Sequence, residues 1–245
     1  MNKEEVLQKC VIDGLVIKLP EIELDRKVYM DVAKSLELIG GKWKGGKIKG
    51  FIFNEDPSEL LTQIANGEKR NLKKEFQFFA TPDKIADRLV HIASITAHHS
   101  ILEPSAGQGA IINAIKRKIP DLEVDCCELM PLNQVFLSKI DEANLIGEDF
   151  LTSDIASTYD RIIANPPFTK NQDIIHVKRM YDLLKTGGRL VSMMSKHWQL
   201  SSNKKETEFR NWIATLPYNI EEVDAGEFKE SGTNISTIIL TIFKE

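Results

Sequence analysis

The chain has 245 residues, 42% of them apolar, and a formal net charge of −4. This composition predicts a globular protein with a sizeable core and excludes a global positive field, so any nucleic-acid binding must come from a local patch. No apolar run approaches the ~18 residues of a membrane span, and the charged N-terminus lacks the apolar stretch of a signal peptide. Cys10, Cys126 and Cys127 lack metal-ligand spacing. We interpret them as reduced core residues of a cytoplasmic protein with no metal site.

Residues 1–75 are predicted to form a small α+β extension. A helix over 24–38 precedes a glycine pair, a hairpin spans 42–53, and a second helix spans 58–65. Residues 26–74 hold 11 Lys/Arg against 6 Asp/Glu, a local excess of five positive charges. Residues 26–74 are therefore a locally basic stretch of an acidic chain.

The hairpin alternates basic and apolar residues, with Lys42 and Lys44 on either side of Trp43. One interpretation is a solvated face that serves solubility, which is the usual meaning of a charge run. The other is an arm that grips phosphates and carries a tryptophan able to stack or wedge. The sequence leaves both interpretations open.

From residue 76 onward the pattern alternates strand and helix. The first helix is predicted to start with Thr81 as N-cap and Pro82 at its first position, and a long helix is expected over about 173–184, ending at a glycine pair at 187–188. Strands are predicted over 100–103, 122–129, 144–147, 159–164, 189–194, 220–223 and 236–243. Repeated units of this length predict a doubly wound, Rossmann-like α/β domain over 76–245, with ligands at the carboxyl ends of a mostly parallel sheet.

The fourth of these strands runs into Asn165-Pro166-Pro167-Phe168, which we call the proline corner. The two prolines stop the strand and remove two backbone N–H donors. The Asn165 side chain and the backbone carbonyls are then left as hydrogen-bond acceptors, and Phe168 offers a flat face. Such a corner suits an exocyclic amino group on a planar ring.

A glycine-rich turn, residues 104–109, follows the first strand of this domain and its terminal Glu103. Ile112 stands where the dinucleotide fingerprint needs glycine, and no phosphate-loop signature is present. Gly107 and Gly109 let the backbone approach an organic ligand, and a carboxylate beside them tolerates a cation but repels phosphate. The turn is typical of a ligand without a phosphate group.

Two further strand ends complete the predicted ligand site. Glu128 can accept both hydrogen bonds of a ribose diol, and Asp149 can accept from an adenine amino group while Phe150 packs against its ring. A nucleoside with a cationic, phosphate-free tail is S-adenosylmethionine, which we predict as the cofactor. Each residue has an ordinary alternative, a surface acid for Glu128 and a helix cap for Asp149.

In order and spacing these motifs resemble the class I amino-methyltransferases, most closely the gamma-class DNA adenine-N6 methyltransferases. The resemblance implies a seven-stranded methyltransferase sheet, and it implies that the methionine end of the cofactor is held by Thr81, Glu103, Ser105 and Gly107. The residues that carry it and form the expected cofactor site are Phe79, Ala80, Thr81, Glu103, Pro104, Ser105, Gly107, Gly109, Glu128, Asp149, Phe150 and Asn165. The catalytic set it implies is Asn165, Pro166, Pro167 and Phe168.

The resemblance also implies a base-binding site in which Phe168 stacks on the target base and Phe228 or Trp198 forms a second wall. Gamma-class DNA enzymes usually carry a large target-recognition domain after the catalytic half. Only 77 residues follow Phe168 here, and nearly all are needed to finish the sheet. Contacts to DNA are therefore expected from Lys42 and Lys44 of the hairpin, from the basic linker, or from the loop at 196–205.

Methylation of DNA at adenine N6 is the leading prediction, and the sequence leaves alternatives open. One is methylation of an RNA base at guanine N2 or adenine N6, and another is methylation of a glutamine amide in a protein. A different class is a non-catalytic nucleic-acid-binding module, although such a module has no use for the proline corner. We expect His176 and His197 to be structural, because this chemistry calls for no strong base. The target sequence, the strandedness, a cognate nuclease and the oligomeric state are left undetermined.

Overall fold

The computed structural model describes residues 1–53, 56–71, 80–224, 226–227 and 237–245. The chain divides into two compact units, Met1–Phe78 and Phe79–Glu245. The sequence analysis predicted a boundary between residues 75 and 76, and this division comes after residue 78.

In the described part of the N-terminal unit, four short strands form an antiparallel sheet in the order β1-β2-β4-β3. The strands are β1 Val11–Asp13, β2 Val16–Lys18, β3 Lys42–Lys44 and β4 Gly50–Ile52, and the helices are α1 Lys3–Gln8, α2 Arg26–Leu38 and α3 Ser58–Ala65. Their apolar side chains share a core that includes Leu7, Ile17, Val32, Leu36 and Phe51. This unit therefore has its own hydrophobic core.

The predicted hairpin and both predicted helices of this unit are confirmed. Helix α2 begins at Arg26 because the Asp25 side chain caps it, accepting from the Lys27 N–H at 2.8 Å. Helix α1 and strands β1 and β2 were missed, since segments of three to six residues show too little periodicity. The signal for α1 was the capping box between Asn2 and Glu5, in which each side chain accepts from the other residue's backbone N–H.

In the described part of the C-terminal unit, seven strands form one sheet in the order β10-β11-β9-β8-β5-β6-β7, with β11 antiparallel to its neighbours. The strands are β5 Ile101–Glu103, β6 Val124–Cys127, β7 Ala143–Gly147, β8 Tyr159–Ala164, β9 Leu184–Ser195, β10 Tyr218–Val223 and β11 Thr237–Phe243. The helices are α4 Asp83–Ala93, α5 Ala110–Lys118, α6 Pro131–Leu137, α7 Gln172–Asp182, α8 His197–Leu200 and α9 Lys204–Ile213. The predicted seven-stranded, doubly wound fold is confirmed.

Alternate strand residues face opposite sides of this sheet, and each side is covered by helices. Ile101 and Ile163 join a cluster with the apolar faces of α4 and α5. Leu102 and Ile162 join a second cluster with α7 and α9. Near-continuous apolar strands are the expected sequence for a sheet buried on both faces.

Two predicted boundaries are wrong. Helix α4 begins at Asp83 and has no side-chain cap, because the Thr81 hydroxyl accepts a hydrogen bond from Asn165 instead. The long helix ends at Asp182, and β9 runs from Leu184 through the glycine pair. Gly187 has φ +78° and its N–H donates to the Lys244 carbonyl at 2.7 Å, so the pair forms a bend within a strand rather than a helix cap.

The sheet order places a topological switch point between β5 and β8. These strands pair in parallel, with Leu102 opposite Ile162, while their connections lead to opposite halves of the sheet. The carboxyl ends of parallel strands at such a point form a crevice, which is the usual ligand site of an open α/β sheet. The glycine turn and the proline corner both begin there.

Candidate active site

Four polar residues lie at the carboxyl ends of four neighbouring parallel strands. Glu103 ends β5, Glu128 follows β6 directly, Asp149 follows β7 by two residues, and Asn165 follows β8 directly. Because the strands are parallel neighbours, these residues lie along one edge of the sheet. The structure therefore brings the predicted cofactor residues to the same edge as the proline corner.

Glu128 holds the glycine turn in place by hydrogen bonding. Gly107 has φ +55° and donates its N–H to Glu128 Oε2 at 2.7 Å. The other oxygen, Oε1, accepts from the Met130 N–H at 2.8 Å and from Asn133 Nδ2 at 3.2 Å. A carboxylate offers about four acceptor positions, so these three bonds leave room for one more donor, such as a ribose hydroxyl. Burial raises the pKa of Glu128, and the three bonds oppose that rise.

Glu103 is the most deeply buried acid of the site, with 1% of its surface exposed. Among the described residues, no group donates a hydrogen bond to its Oε2. Burial first, and then the nearby Glu128 charge, raise the pKa of Glu103 well above its ordinary value, while the Ile112 N–H lowers it. An unpartnered buried carboxylate oxygen is costly unless a donor or a cation meets it. The position therefore fits a positively charged ligand group.

The glycine turn ends at Gly109, directly before α5, and this position requires glycine. Gly109 has φ +82°, and a Cβ built there would stand 2.4 Å from Ile140 Cδ1 and 3.3 Å from Leu137 Cδ2. Its N–H donates to the Ala106 carbonyl at 2.8 Å. Within the turn Pro104 is buried and Ser105 is half-buried. The backbone at Gly109 is thus held close to Leu137 and Ile140, and the predicted approach of this turn to an organic ligand stays a prediction.

Asp149 and Phe150 differ in what they present to a ligand. Asp149 is half-buried, its Oδ1 accepts from the Leu151 N–H at 2.9 Å, and its Oδ2 accepts from no described group. The Phe150 ring is 2% exposed, with the Arg179 guanidinium carbon 5.2 Å and the His176 ring 5.5 Å from its centroid. These neighbours enclose the Phe150 ring in the core, so the predicted contact of Phe150 with an adenine ring stays a prediction and would need the ring to be uncovered.

The proline corner presents oxygen acceptors. Asn165 Nδ2 donates to Thr81 Oγ1 at 3.0 Å, which directs the amide nitrogen toward Thr81 and leaves Oδ1 for another donor. No described group donates to Asn165 Oδ1 or to the Pro166 carbonyl. Both prolines lack an N–H. The corner therefore offers two acceptors and is depleted of competing donors.

The chain leaves the corner through an unusual turn. Phe168 is half-buried and packs on the apolar cluster of α4 and α5. Lys170 and Asn171 follow with φ +56° and +62°, two consecutive left-handed residues before α7 begins at Gln172. Side chains rarely adopt this conformation, although asparagine tolerates it. Asn171 was the available sequence signal for this turn, and it was missed.

Asp173 is a second residue that the sequence analysis missed. It is 1% exposed, and its Oδ2 accepts from the Ser195 N–H at 3.0 Å and from the Ser195 hydroxyl at 2.8 Å. Burial raises its pKa, and the Ser195 bonds oppose that rise. This contact fixes the start of α7 to the end of β9, behind the proline corner. An acid in the first turn of a predicted helix was the signal available for it.

The remaining predicted site residues are buried, exposed or outside the described residues. Trp198 as a wall for a base is wrong, because the indole is 3% exposed and packs edge-on against Phe209, with ring centroids 5.0 Å apart. Phe79 and Phe228 lie outside the described residues, and Ala80 is exposed. Lys42 and Lys44 are exposed on β3 of the N-terminal unit.

No described helix is both long and apolar enough for a membrane span. Within the described residues, no group of three or more His, Cys, Asp or Glu side chains has the arrangement of a metal site.

The chain matches the family model of the methyltransferase small domain over residues 80–215, more than half of its length. The chain belongs to this family. It is a class I methyltransferase, and the methyl donor of this class is S-adenosylmethionine. The matched range begins just before Thr81 and includes the glycine turn, Glu128, Asp149 and the proline corner.

Similar proteins include modification methylase CviBIII of Paramecium bursaria Chlorella virus NC1A, 25% identical over 74% of this chain and 55% of its own length. Among solved structures, a type I restriction-modification methyltransferase subunit from Streptococcus thermophilus has a TM-score of 0.59 at 17% identity, over 76% of this chain and 48% of that one. A protein described as a class I S-adenosylmethionine-dependent methyltransferase from Listeria monocytogenes has a TM-score of 0.56 at 16% identity, over 99% and 78%. The chain thus spans about half the length of the first relatives it matches.

The residues present fit S-adenosylmethionine. The unpartnered Glu103 Oε2 suits a cationic group, and the remaining acceptors of Glu128 and Asp149 suit hydroxyl and amino donors. Two buried acids make the edge unfavourable for phosphate. A positively charged nucleoside without phosphate has this combination of groups.

Proposed function

We propose that the protein transfers the methyl group of S-adenosylmethionine to the N6 amino group of adenine in DNA. The observation that carries the proposal is the Asn165 amide, whose nitrogen is engaged by Thr81 while its oxygen and the Pro166 carbonyl are open. The order of motifs, the family and the CviBIII relative support it.

The proline corner activates an amino group by hydrogen bonding. The amino nitrogen of adenine is a poor nucleophile, because its lone pair is delocalised into the ring. Asn165 Oδ1 and the Pro166 carbonyl accept its two N–H groups, which pulls the nitrogen toward a tetrahedral geometry and frees the lone pair. When bound, S-adenosylmethionine would supply the methyl group from its sulfonium: the N–C bond forms as the C–S bond breaks, S-adenosylhomocysteine leaves with the bonding pair, and the proton lost by the methylated nitrogen passes to solvent. The chain contributes positioning and electrostatic stabilisation of the charge that develops on nitrogen.

A base in a duplex must leave the stack to reach this corner, which costs a few kcal/mol. Phe168 is the half-buried aromatic residue at the corner, and stacking of a base on such a ring contributes about 1–3 kcal/mol. Because Trp198 is buried, we assign the stacking contact to Phe168 alone among the described residues.

The test is transfer of a tritiated methyl group from S-adenosylmethionine to DNA, ribosomal RNA and protein in parallel. We expect label in DNA, recovered as N6-methyladenine after digestion, and loss of label with Asn165→Ala. Asn144→Ala is the matched control, since that amide donates to Asp125 near the amino ends of β6 and β7. Label in protein alone would reject the substrate class, and label in RNA alone would keep the amino-group chemistry while replacing DNA. Full transfer by Asn165→Ala would reject the role of the corner.

A further inference from the structure

We propose that the hairpin formed by β3 and β4 binds the phosphate backbone of the substrate DNA through Lys44, Lys47 and Lys49. The inference rests on the proposed function for the identity of the nucleic acid. It assigns to the N-terminal unit, which the methyltransferase family match does not cover, the task of holding the polymer.

The register of the hairpin separates its basic side from its apolar side. Trp43 pairs with Phe51 across the strands, and their rings meet edge-on with centroids 5.2 Å apart. Phe51 is buried, so the Trp43 side of β3 faces the core of the unit. Lys44 is the next residue and points to the other side of the sheet. The Trp43 ring contacts Phe51 and stays 46% exposed, and the lysines are the exposed charged groups of the hairpin.

The connection between the strands presents two more lysines. Lys47 and Lys49 are exposed, while Ile48 between them is half-buried. Gly46 has φ +67° and Lys49 has φ +46°. The left-handed region favours glycine, so a lysine at 49 is an unusual choice for the fold alone. Its position at the end of the connection adds a third exposed cation to the hairpin.

These three charges are not neutralised within the described residues. No described carboxylate lies within 4.0 Å of Lys44, Lys47 or Lys49, whereas Lys18 on the same sheet forms an ion pair with Asp13 at 2.7 Å. The sequence has no acidic residue between Glu37 and Glu55. A cluster of unpaired cations in a chain of net charge −4 fits a polyanion, since each phosphate contact releases a counterion.

Lysines on an edge strand also protect sheets from edge-to-edge pairing. In this sheet β3 is one edge and β1 is the other. The β1 edge has no lysine and leaves Val11 60% exposed and Ile12 36% exposed. Edge protection would apply equally to both sides, so it does not account for lysines that are concentrated at β3 and its turn.

The test measures binding of the full chain to a fluorescent DNA duplex by anisotropy between 50 and 200 mM salt. The variant is Lys44→Gln with Lys47→Gln and Lys49→Gln. The matched control is Lys9→Gln with Lys27→Gln and Lys34→Gln, which removes the same charge from exposed positions of the same unit. A variant with arginine at 44, 47 and 49 keeps the charge.

At about 0.9 per phosphate contact, three lost contacts lower the slope of log affinity against log salt by about 2.7. The wild type should then lose about 40-fold more affinity over this salt range than the glutamine variant, while the control and arginine variants match the wild type. The glutamine variant should keep kcat at saturating DNA and raise KM for DNA.

Each outcome separates the two proposals. An unchanged slope in the glutamine variant, with DNA methylation intact, overturns the phosphate-binding role and leaves the proposed function standing. An equal fall of the slope in the control variant also overturns the phosphate-binding role. The salt dependence would then reflect the total charge of the unit and not the three hairpin lysines. Binding of an RNA of equal length but not of DNA, or no methylation of DNA by the wild type, overturns the proposed substrate.

Discussion

The two halves of the active site lie on one edge of one sheet but use different chemistry. The cofactor half consists of the glycine turn with two acids, Glu103 and Glu128, which are 1% and 9% exposed and have raised pKa values. The substrate half is the proline corner, whose acceptors are a neutral amide and a neutral carbonyl. We therefore expect the proposed cofactor half to respond to pH and the proposed substrate half not to respond. If so, substitutions should alter cofactor binding and methyl transfer separately.

The largest effect is expected from Asn165→Ala. The variant loses the amide acceptor that stabilises charge on the amino nitrogen, so kcat should fall by about 10²–10³, the range for removal of one such group. The measurement is single-turnover methyl transfer with saturating cofactor. Affinity for S-adenosylhomocysteine by calorimetry should stay within a few-fold of the wild type. A variant that loses cofactor affinity in proportion to rate would contradict the separation of the two halves.

The next effect concerns Glu103 and pH. Because the pKa of Glu103 is raised in the folded state, its protonation favours the fold. This contribution is complete below the unfolded pKa of about 4.3 and is lost as pH rises through the raised folded value. Between the unfolded pKa and the raised folded pKa, the wild type loses stability as pH rises and the variant does not. The free energy of unfolding of Glu103→Gln should therefore rise relative to that of the wild type, by up to about 1.4 kcal/mol per pH unit.

The measurement for Glu103 is chemical unfolding of the ligand-free protein at several pH values. Glu142→Gln is a matched control in which the sign is reversed, because Lys116 lowers the pKa of Glu142 through a hydrogen bond. A Glu103 variant that follows the wild-type pH profile in parallel would show that this carboxyl does not titrate differently in the fold.

Thr81→Val tests the link between the two halves and should have a smaller effect. Valine keeps the shape but removes the acceptor of the Asn165 amide, so kcat should fall about 2- to 10-fold, the equivalent of one neutral hydrogen bond. Thr81→Ser should retain the rate. In an Asn165→Ala background the same change should have no further effect on kcat, since the partner is absent. An equal fall in both backgrounds would mean that Thr81 acts only through the cofactor.

The smallest effect is expected from His176→Gln. His176 is buried, its Nδ1 lies 2.8 Å from the Gln172 carbonyl, and burial lowers its pKa. The proposed methyl transfer needs positioning of the amino group and no base. We therefore expect kcat at saturating substrates to stay within about 2-fold of the wild type and to keep the same pH profile. A kcat that loses its dependence on pH in this variant would identify the histidine as a base.

Residues that terminate helices and strands explain why the full bounds of some elements could be predicted. Strand β8 has the predicted bounds Tyr159–Ala164, because two prolines follow it and no longer strand is sterically allowed. The convergence of Glu103 and Asn165 was also predictable, since parallel strands bring their carboxyl ends to one edge. The end of β8 depends on residues next to it in the sequence, and the convergence depends on a general rule of parallel sheets.

Other features depended on distant residues. The Thr81–Asn165 bond joins positions 84 residues apart, and the bend at Gly187 depends on Lys244 near the end of the chain. Burial of Phe150 and Trp198 was not predictable either, because an aromatic side chain fits a ligand face and a core equally well until its neighbours are placed. Whether an aromatic side chain is exposed or buried is therefore the property that the sequence predicts least well.

The pair of open oxygens at the proline corner has a consequence for what happens after transfer. An unmethylated adenine brings two N–H groups and satisfies both acceptors, whereas N6-methyladenine brings only one. One oxygen is then left without a donor, at a cost of about 1–3 kcal/mol if water is excluded, and the added methyl occupies the space of the lost hydrogen. Under the proposed function, the corner therefore disfavours the methylated product, which promotes its release and makes a second methylation of the same nitrogen unfavourable.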